Sequence, residues 1–181
     1  MKLLQKESTY YYELLSRLQF YVLLNSNKDS KVKSLQEYID ISRKDKIIVR
    51  DELWKNNKWI DEYVENNPDK LFESELEIIK KWRNRIKDKF IIERMLKKYS
   101  IFISSESKVY GVIGITNEID EVIDRNRIPV YVETVLLPFN GKIIYDGLMS
   151  SYAMSFGKGM RDSFKTTYNN AKKNNKIIIS I

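Results

Sequence analysis

Phe90-Ile91-Ile92-Glu93-Arg94-Met95-Leu96 decides the fold, because the chain changes its pattern there. A run this short either prolongs the helix before it or opens a strand, and periodicity alone does not choose. The sequence on either side is plainer. Upstream, Tyr11, Leu14, Leu15, Leu18, Tyr21 and Val22 recur at helical spacing between Ser8 and Leu24, with Glu13 and Arg17 set as an i,i+4 pair. Asn25-Ser26-Asn27-Lys28-Asp29 breaks that helix, and a short one follows over Val32 to Ile39. Ser42 is placed to cap a third helix and Asn57 a fourth, which Asn66-Asn67-Pro68 stops. Ser74 with Glu77 reads as a capping box, opening a long amphipathic helix through Ile78, Ile79, Trp82 and Ile86.

Downstream the residues become β-branched and aromatic. Ile101-Phe102-Ile103 and Val109 to Ile115 predict strands around the polar turn Ser104 to Lys108. Asn117 to Asp124 predicts a short acidic helix. Val130 to Leu137 and Lys142 to Asp146 predict a hairpin turned at Pro138-Phe139-Asn140-Gly141. Gly159 to Lys173 predicts a last helix, and Ile177 to Ile181 a closing strand. The fold class is therefore α+β: a helical N-terminal half, residues 1–88, packed on residues 89–181. The second half is expected to be a mostly antiparallel sheet or small barrel with a late helix, and the halves are expected to share one core.

The later half also carries a resemblance. Phe90 to Arg94, Tyr110-Gly111-Val112, Val132-Glu133-Thr134-Val135-Leu136-Leu137-Pro138-Phe139, Ile143-Ile144-Tyr145-Asp146-Gly147-Leu148 and Ser155-Phe156-Gly157-Lys158-Gly159 together resemble a widespread bacterial family of short uncharacterised proteins. The resemblance implies no activity. Members often have a histidine where Met95 stands and a glycine where Lys158 stands.

Composition narrows the chemistry. With 181 residues and no cysteine, the chain has no disulfide, cysteine nucleophile or thiolate metal site. With no histidine it has no Ser-His-Asp catalysis and no imidazole-ligated metal. No cofactor or metal is expected. The start, Met1-Lys2-Leu3-Leu4-Gln5-Lys6-Glu7, lacks the apolar core of a signal peptide, and no run is long enough to span a bilayer, so a cytoplasmic protein without a membrane partner is expected.

Four groups of residues offer a site. Gly157, Lys158 and Gly159 stand at a helix start, where backbone N–H groups and the helix dipole favour an anion, with Arg161 and Lys165 beside them. The structural alternative is a tight connection that needs positive φ at the glycines. Glu133 and Asp146, with Lys142 between, are the only easy route to Mg²⁺-assisted hydrolysis, although both acids also suit a solvated strand and a turn. Glu118 to Asp124 lacks the glycine and ligand order of a calcium loop. Finally, Lys80, Lys81, Arg83, Arg85, Lys87, Lys89, Arg94, Lys97 and Lys98 concentrate charge near the junction, with Tyr99 and Phe102 adjacent. Of these, Arg83, Lys87, Arg94, Lys97 and Lys98 are the nucleic-acid candidates. A second basic cluster comprises Lys165, Lys172, Lys173 and Lys176.

The formal charge of +7 accompanies a general abundance of Lys, Ile and Asn, which dilutes any argument from lysine alone. The reading that follows is a small binding module for an anionic partner, nucleic acid or another polyanion. The alternatives are a Mg²⁺-dependent phosphodiesterase on Glu133 and Asp146, or an interaction or assembly subunit of unknown oligomeric state.

Overall fold

The computed structural model of the chain describes residues 1–26 and 30–181; the end of the break expected at residues 25–29 lies outside them. The chain divides into two compact units: Lys6–Arg83, and Met1–Gln5 with Asn84–Ile181.

The first unit is helical: α1 (Gln5–Ser26), α2 (Leu35–Asp40), α3 (Arg43–Leu53), α4 (Lys58–Asn66) and α5 (Glu73–Lys81). The stripe on α1 is buried at Tyr11, Leu14, Leu15, Leu18 and Val22, and the Glu13–Arg17 pair forms at 3.0 Å. Short polar side chains set the helix starts: Ser34 Oγ accepts from the Glu37 N–H and Ser42 Oγ from the Asp45 N–H. Two caps differ from expectation. Asn57 makes no side-chain cap bond; its neighbour Asn56 accepts from the Lys58 N–H at 2.9 Å instead. Ser74 lies inside α5, which starts after Phe72, where Glu75 reaches back to the Phe72 N–H at 2.7 Å. Asn67 closes α4 in the left-handed region, φ 38°, directly before Pro68. The expected long helix is also shorter. After α5 comes one 3-10 turn, Trp82–Asn84, and Ile86 already belongs to a strand.

The second unit holds, among the described residues, β1 (Ile86–Met95), β2 (Ser100–Ile103), β3 (Val109–Ile113), α6 (Ile119–Val122), β4 (Val130–Phe139), β5 (Lys142–Ser151) and α7 (Lys158–Lys173). The ambiguous Phe90 run is strand as far as Met95, and that strand already begins at Ile86, ahead of the expected change of pattern at 88. The ladders form a closed cycle, β1-β2-β3-β5-β4 and back to β1. The sheet is mixed, where a mostly antiparallel one was expected. The β3–β5 ladder is parallel and short, pairing Val112 with Ile143 and Ile113 with Ile144, while the other ladders are antiparallel. The β4–β5 hairpin is longer than predicted, because Pro138 and Phe139 are still paired and only Asn140 (φ 49°) and Gly141 (φ 71°) turn. The expected closing strand is a single parallel bridge from Ile178 to Tyr110.

The two faces of the β1-β2-β3 sheet carry different cores. Phe90, Phe102 and Tyr110 stack edge-on at 5.9 and 6.2 Å on one face. On the other, Ile91, Ile101, Ile103 and Val109 are buried with Phe156 and with Tyr168 of α7. That alternation is the period of two that a strand imposes. Among the described residues no helix is long and apolar enough to cross a membrane.

Candidate binding groove along the last helix

Charge is distributed unevenly between the units. Lys6–Arg83 holds 15 Lys and Arg against 15 Asp and Glu, whereas the strand unit holds 17 against 10, so the whole excess of +7 lies in the strand unit. A compositional bias spread evenly along the chain would not produce that division.

Within the strand unit, β1 organises the cations. Lys87, Lys89 and Ile91 alternate onto one face. The register then slips between Ile92, opposite Phe102, and Arg94, opposite Ile101. This bulge inserts Glu93 and returns Arg94 to the face of Ile91, where its guanidinium carbon lies 3.9 Å from the Tyr168 ring centre. Glu93 grips the same guanidinium through Nε and Nη2. Arg94 is thus a fastener of α7. Lys97 and Lys98 are exposed on the β1–β2 turn, closed by Leu96 N–H to Tyr99 carbonyl at 2.9 Å, and Lys87 is exposed opposite Val135. Arg83 belongs to the helical unit and pairs with Asp61 at 2.6 Å. Of the five predicted nucleic-acid residues, Arg83 and Arg94 are thus engaged in ion pairs, while Lys87, Lys97 and Lys98 are exposed on the strand unit.

Gly157 is the N-cap of α7 at φ −66°, so the connection does not need positive φ. A Cβ on Gly157 or Gly159 would meet nothing within 4 Å, and Lys158 and Lys165 are exposed. The expected cradle is open surface, and Arg161 turns back to donate Nε–H to the Phe156 carbonyl at 2.9 Å.

The predicted acids are placed separately. Glu133 pairs across with Ser150 and accepts the Tyr152 hydroxyl at 2.6 Å. Asp146 is buried where β5 departs from regular pairing, accepts from the Leu148 N–H at 3.3 Å, and lies on the far side of Met149 from Ser150. Lys142 stands at the hairpin end, opposite Phe139. Among the described residues no three Asp, Glu, His or Cys side chains are grouped to hold a metal ion.

Sequence reasoning missed the concavity beside α7. One hollow of about 620 Å³ is lined by Lys108, Asn170, Asn174 and Lys176. A second, of about 400 Å³, is lined by Lys89, Tyr131, Phe156 and Phe164 with Met154 and Met160. Both include Ser107 and Thr167, so they join into one groove between α7 and the β2–β3 turn. It is polar and cationic at one end and aromatic at the other. Its lining includes three lysines and no carboxylate. Lys89 lies 5.3 Å from the Tyr152 ring centre, and its ammonium is held above the ordinary lysine value, first by the Tyr152 phenol. The Tyr152 phenol is raised in turn, first by its hydrogen bond to Glu133. The sequence signal for the groove was the stripe Ser163, Thr167 and Asn170 on α7, with Asn174 at its C-cap. These residues are too small and polar to cover a sheet fully.

Comparison of the chain with protein-family models, with curated proteins and with solved structures finds no match.

Proposed function

We propose that the strand unit binds single-stranded nucleic acid, with phosphates along the Lys108–Lys176 end of the groove. The observation that carries this reading is charge: the strand unit holds the entire +7, and the groove lining has three lysines and no acid, with Glu106 just outside it pairing Lys108 at 2.9 Å. Electrostatic neutralisation of phosphates supplies most of the affinity in such sites, and aromatic faces add stacking.

The fold supports the same reading. The cycle β1-β2-β3-β5-β4, with a short helix between β3 and β4 and a final hairpin, is the order of the small five-stranded barrel that binds oligonucleotides through its β2–β3 face. In this chain α7 occupies that face, through Tyr168 over Ile101, Ile103 and Val109, so the strand runs along the helix flank instead. Topology alone does not assign function; the uneven charge of the strand unit is independent of it.

The test is a salt titration of binding to labelled single-stranded RNA and DNA and to a duplex. Affinity is expected to fall linearly in log–log form between about 50 and about 200 mM salt. Lys108→Ala with Lys176→Ala should shallow the slope by about 1.4, or about 0.7 for each single-strand phosphate that is no longer neutralised. Absence of binding at low salt, or an unchanged slope in the double variant, sinks the proposal.

A further inference from the structure

The aromatic end of the groove has a shape and lining that phosphate binding does not use. Its hollow of about 400 Å³ falls within the range of small-ligand sites, roughly 300–1,000 Å³. Phe156 and Phe164 meet edge to face at 5.2 Å, the first buried and the second partly buried against the same cluster. Tyr131, also partly buried, packs at 5.3 Å against Tyr152. Met154 and Met160 are 53% and 52% exposed at the same hollow, although most large apolar side chains of the strand unit are buried. Exposed thioethers and ring faces around a concavity are apolar surface left for a ligand.

We infer that this end takes one unpaired nucleobase, and that it makes the module read single strands rather than duplexes; this rests on the nucleic-acid reading above. Charge complementarity selects the occupant. Lys89 stands at the hollow, Lys176 and the Glu106-paired Lys108 lie farther along the groove, and no carboxylate is among the lining residues of either part. A greasy peptide or lipid tail would satisfy the rings but leave those cations unused. A nucleotide satisfies both, with its base against Tyr131 and Phe164 and its neighbouring phosphate towards Lys89. The base must be unpaired, because a paired base hides both ring faces in the stack. The exposed Ser163 hydroxyl at the rim offers hydrogen bonds to a base edge, whereas Thr167 already donates to the Ser163 carbonyl and Ser104 accepts from the Lys108 N–H.

The experiment uses the whole chain and a single strand carrying 2-aminopurine at successive positions, alongside the salt titration. One position should change fluorescence strongly on binding while its neighbours change little. Phe164→Leu, which keeps apolar volume but removes the ring, should weaken single-strand binding about five- to hundredfold, the value of one base–aromatic stack, at an unaltered salt slope. Circular dichroism of the variant checks its fold, and the wild-type fluorescence does not depend on that variant. Salt-dependent binding with no localised fluorescence change overturns the base pocket and leaves the electrostatic reading intact. So does binding by a well-folded Phe164→Leu chain at wild-type affinity. No binding of the wild-type chain at low salt overturns both.

Discussion

The two units handle charge in opposite ways. In the helical unit cations are matched by acids close in sequence or in the fold: Arg17 with Glu13 and Asp69, Lys55 with Glu52, Lys58 with Glu62, Lys80 with Glu77, Arg83 with Asp61. In the strand unit pairs also form, as at Arg94–Glu93, Lys108–Glu106 and Arg125–Asp120, but Lys and Arg outnumber the acids and three lysines line one concavity. A surface built of i,i+3 and i,i+4 pairs presents little net field to a distant polyanion, whereas an unbalanced groove focuses it. The same lysine-rich composition thus yields a neutral helical unit and a cationic strand unit.

The units can be separated experimentally because Trp54, Trp59 and Trp82 all lie in the helical one. Phe90→Ala removes a fully buried ring from the strand unit and should cost about 3–5 kcal/mol. Far-UV circular dichroism in denaturant should record that destabilisation, while tryptophan fluorescence follows the helical unit. Equal shifts in both would break the division and make the chain one cooperative block. Gly114→Ala should come next. Its Cβ would lie 1.9 Å from the Asn117 carbonyl oxygen, a backbone atom that cannot swing away, at a cost of about 3 kcal/mol. Gly159→Ala, with open space around it, is the neutral control for the same measurement.

The smallest effect sharpens the helical side. Tyr63 donates to Asp69 at 2.6 Å, and its phenol is pushed above the ordinary value of 10.0, first by burial and then by that hydrogen bond. The folded state therefore holds a proton that the unfolded state releases. Stability is full below about pH 10 and declines as pH rises from there towards the folded value. Tyr63→Phe should cost about 1.5 kcal/mol at neutral pH and flatten the alkaline limb of the stability profile followed by fluorescence. An alkaline limb as steep as wild type would remove Tyr63 from the account.

How much of this was legible depends on how local the cause is. The α1 stripe, the Ser42 cap and the Asn140-Gly141 turn are each written within a few residues, and each forms where the sequence places it. The Ser74 box failed because Glu75, one turn from Phe72, competes for the same role two residues earlier. The Phe90 run was undecidable because its partners, Phe102 and Val132, are remote in sequence and chosen by pairing. The site was less legible than the fold. Glycines and cations at the head of α7 suggested an anion cradle, yet Arg161 is engaged with the Phe156 carbonyl. The groove is assembled from β1, β4, the β2–β3 turn and α7, and no local pattern announces such a convergence.

The bulge at Glu93 makes β1 sensitive to length in a way that substitution does not probe. Because the bulge absorbs Glu93, Arg94 shares the face of Lys87, Lys89 and Ile91; deleting Glu93 would leave it there, but pairing the same residues without a bulge would point Arg94 to the side of Phe90 and Phe102. A charged guanidinium among those rings would cost several kcal/mol, and α7 would lose its hold on the sheet. A one-residue insertion or deletion before the bulge acts as a frameshift in facing, so the spacing from Lys87 to Ile92 is under tighter constraint than the identity of its exposed side chains.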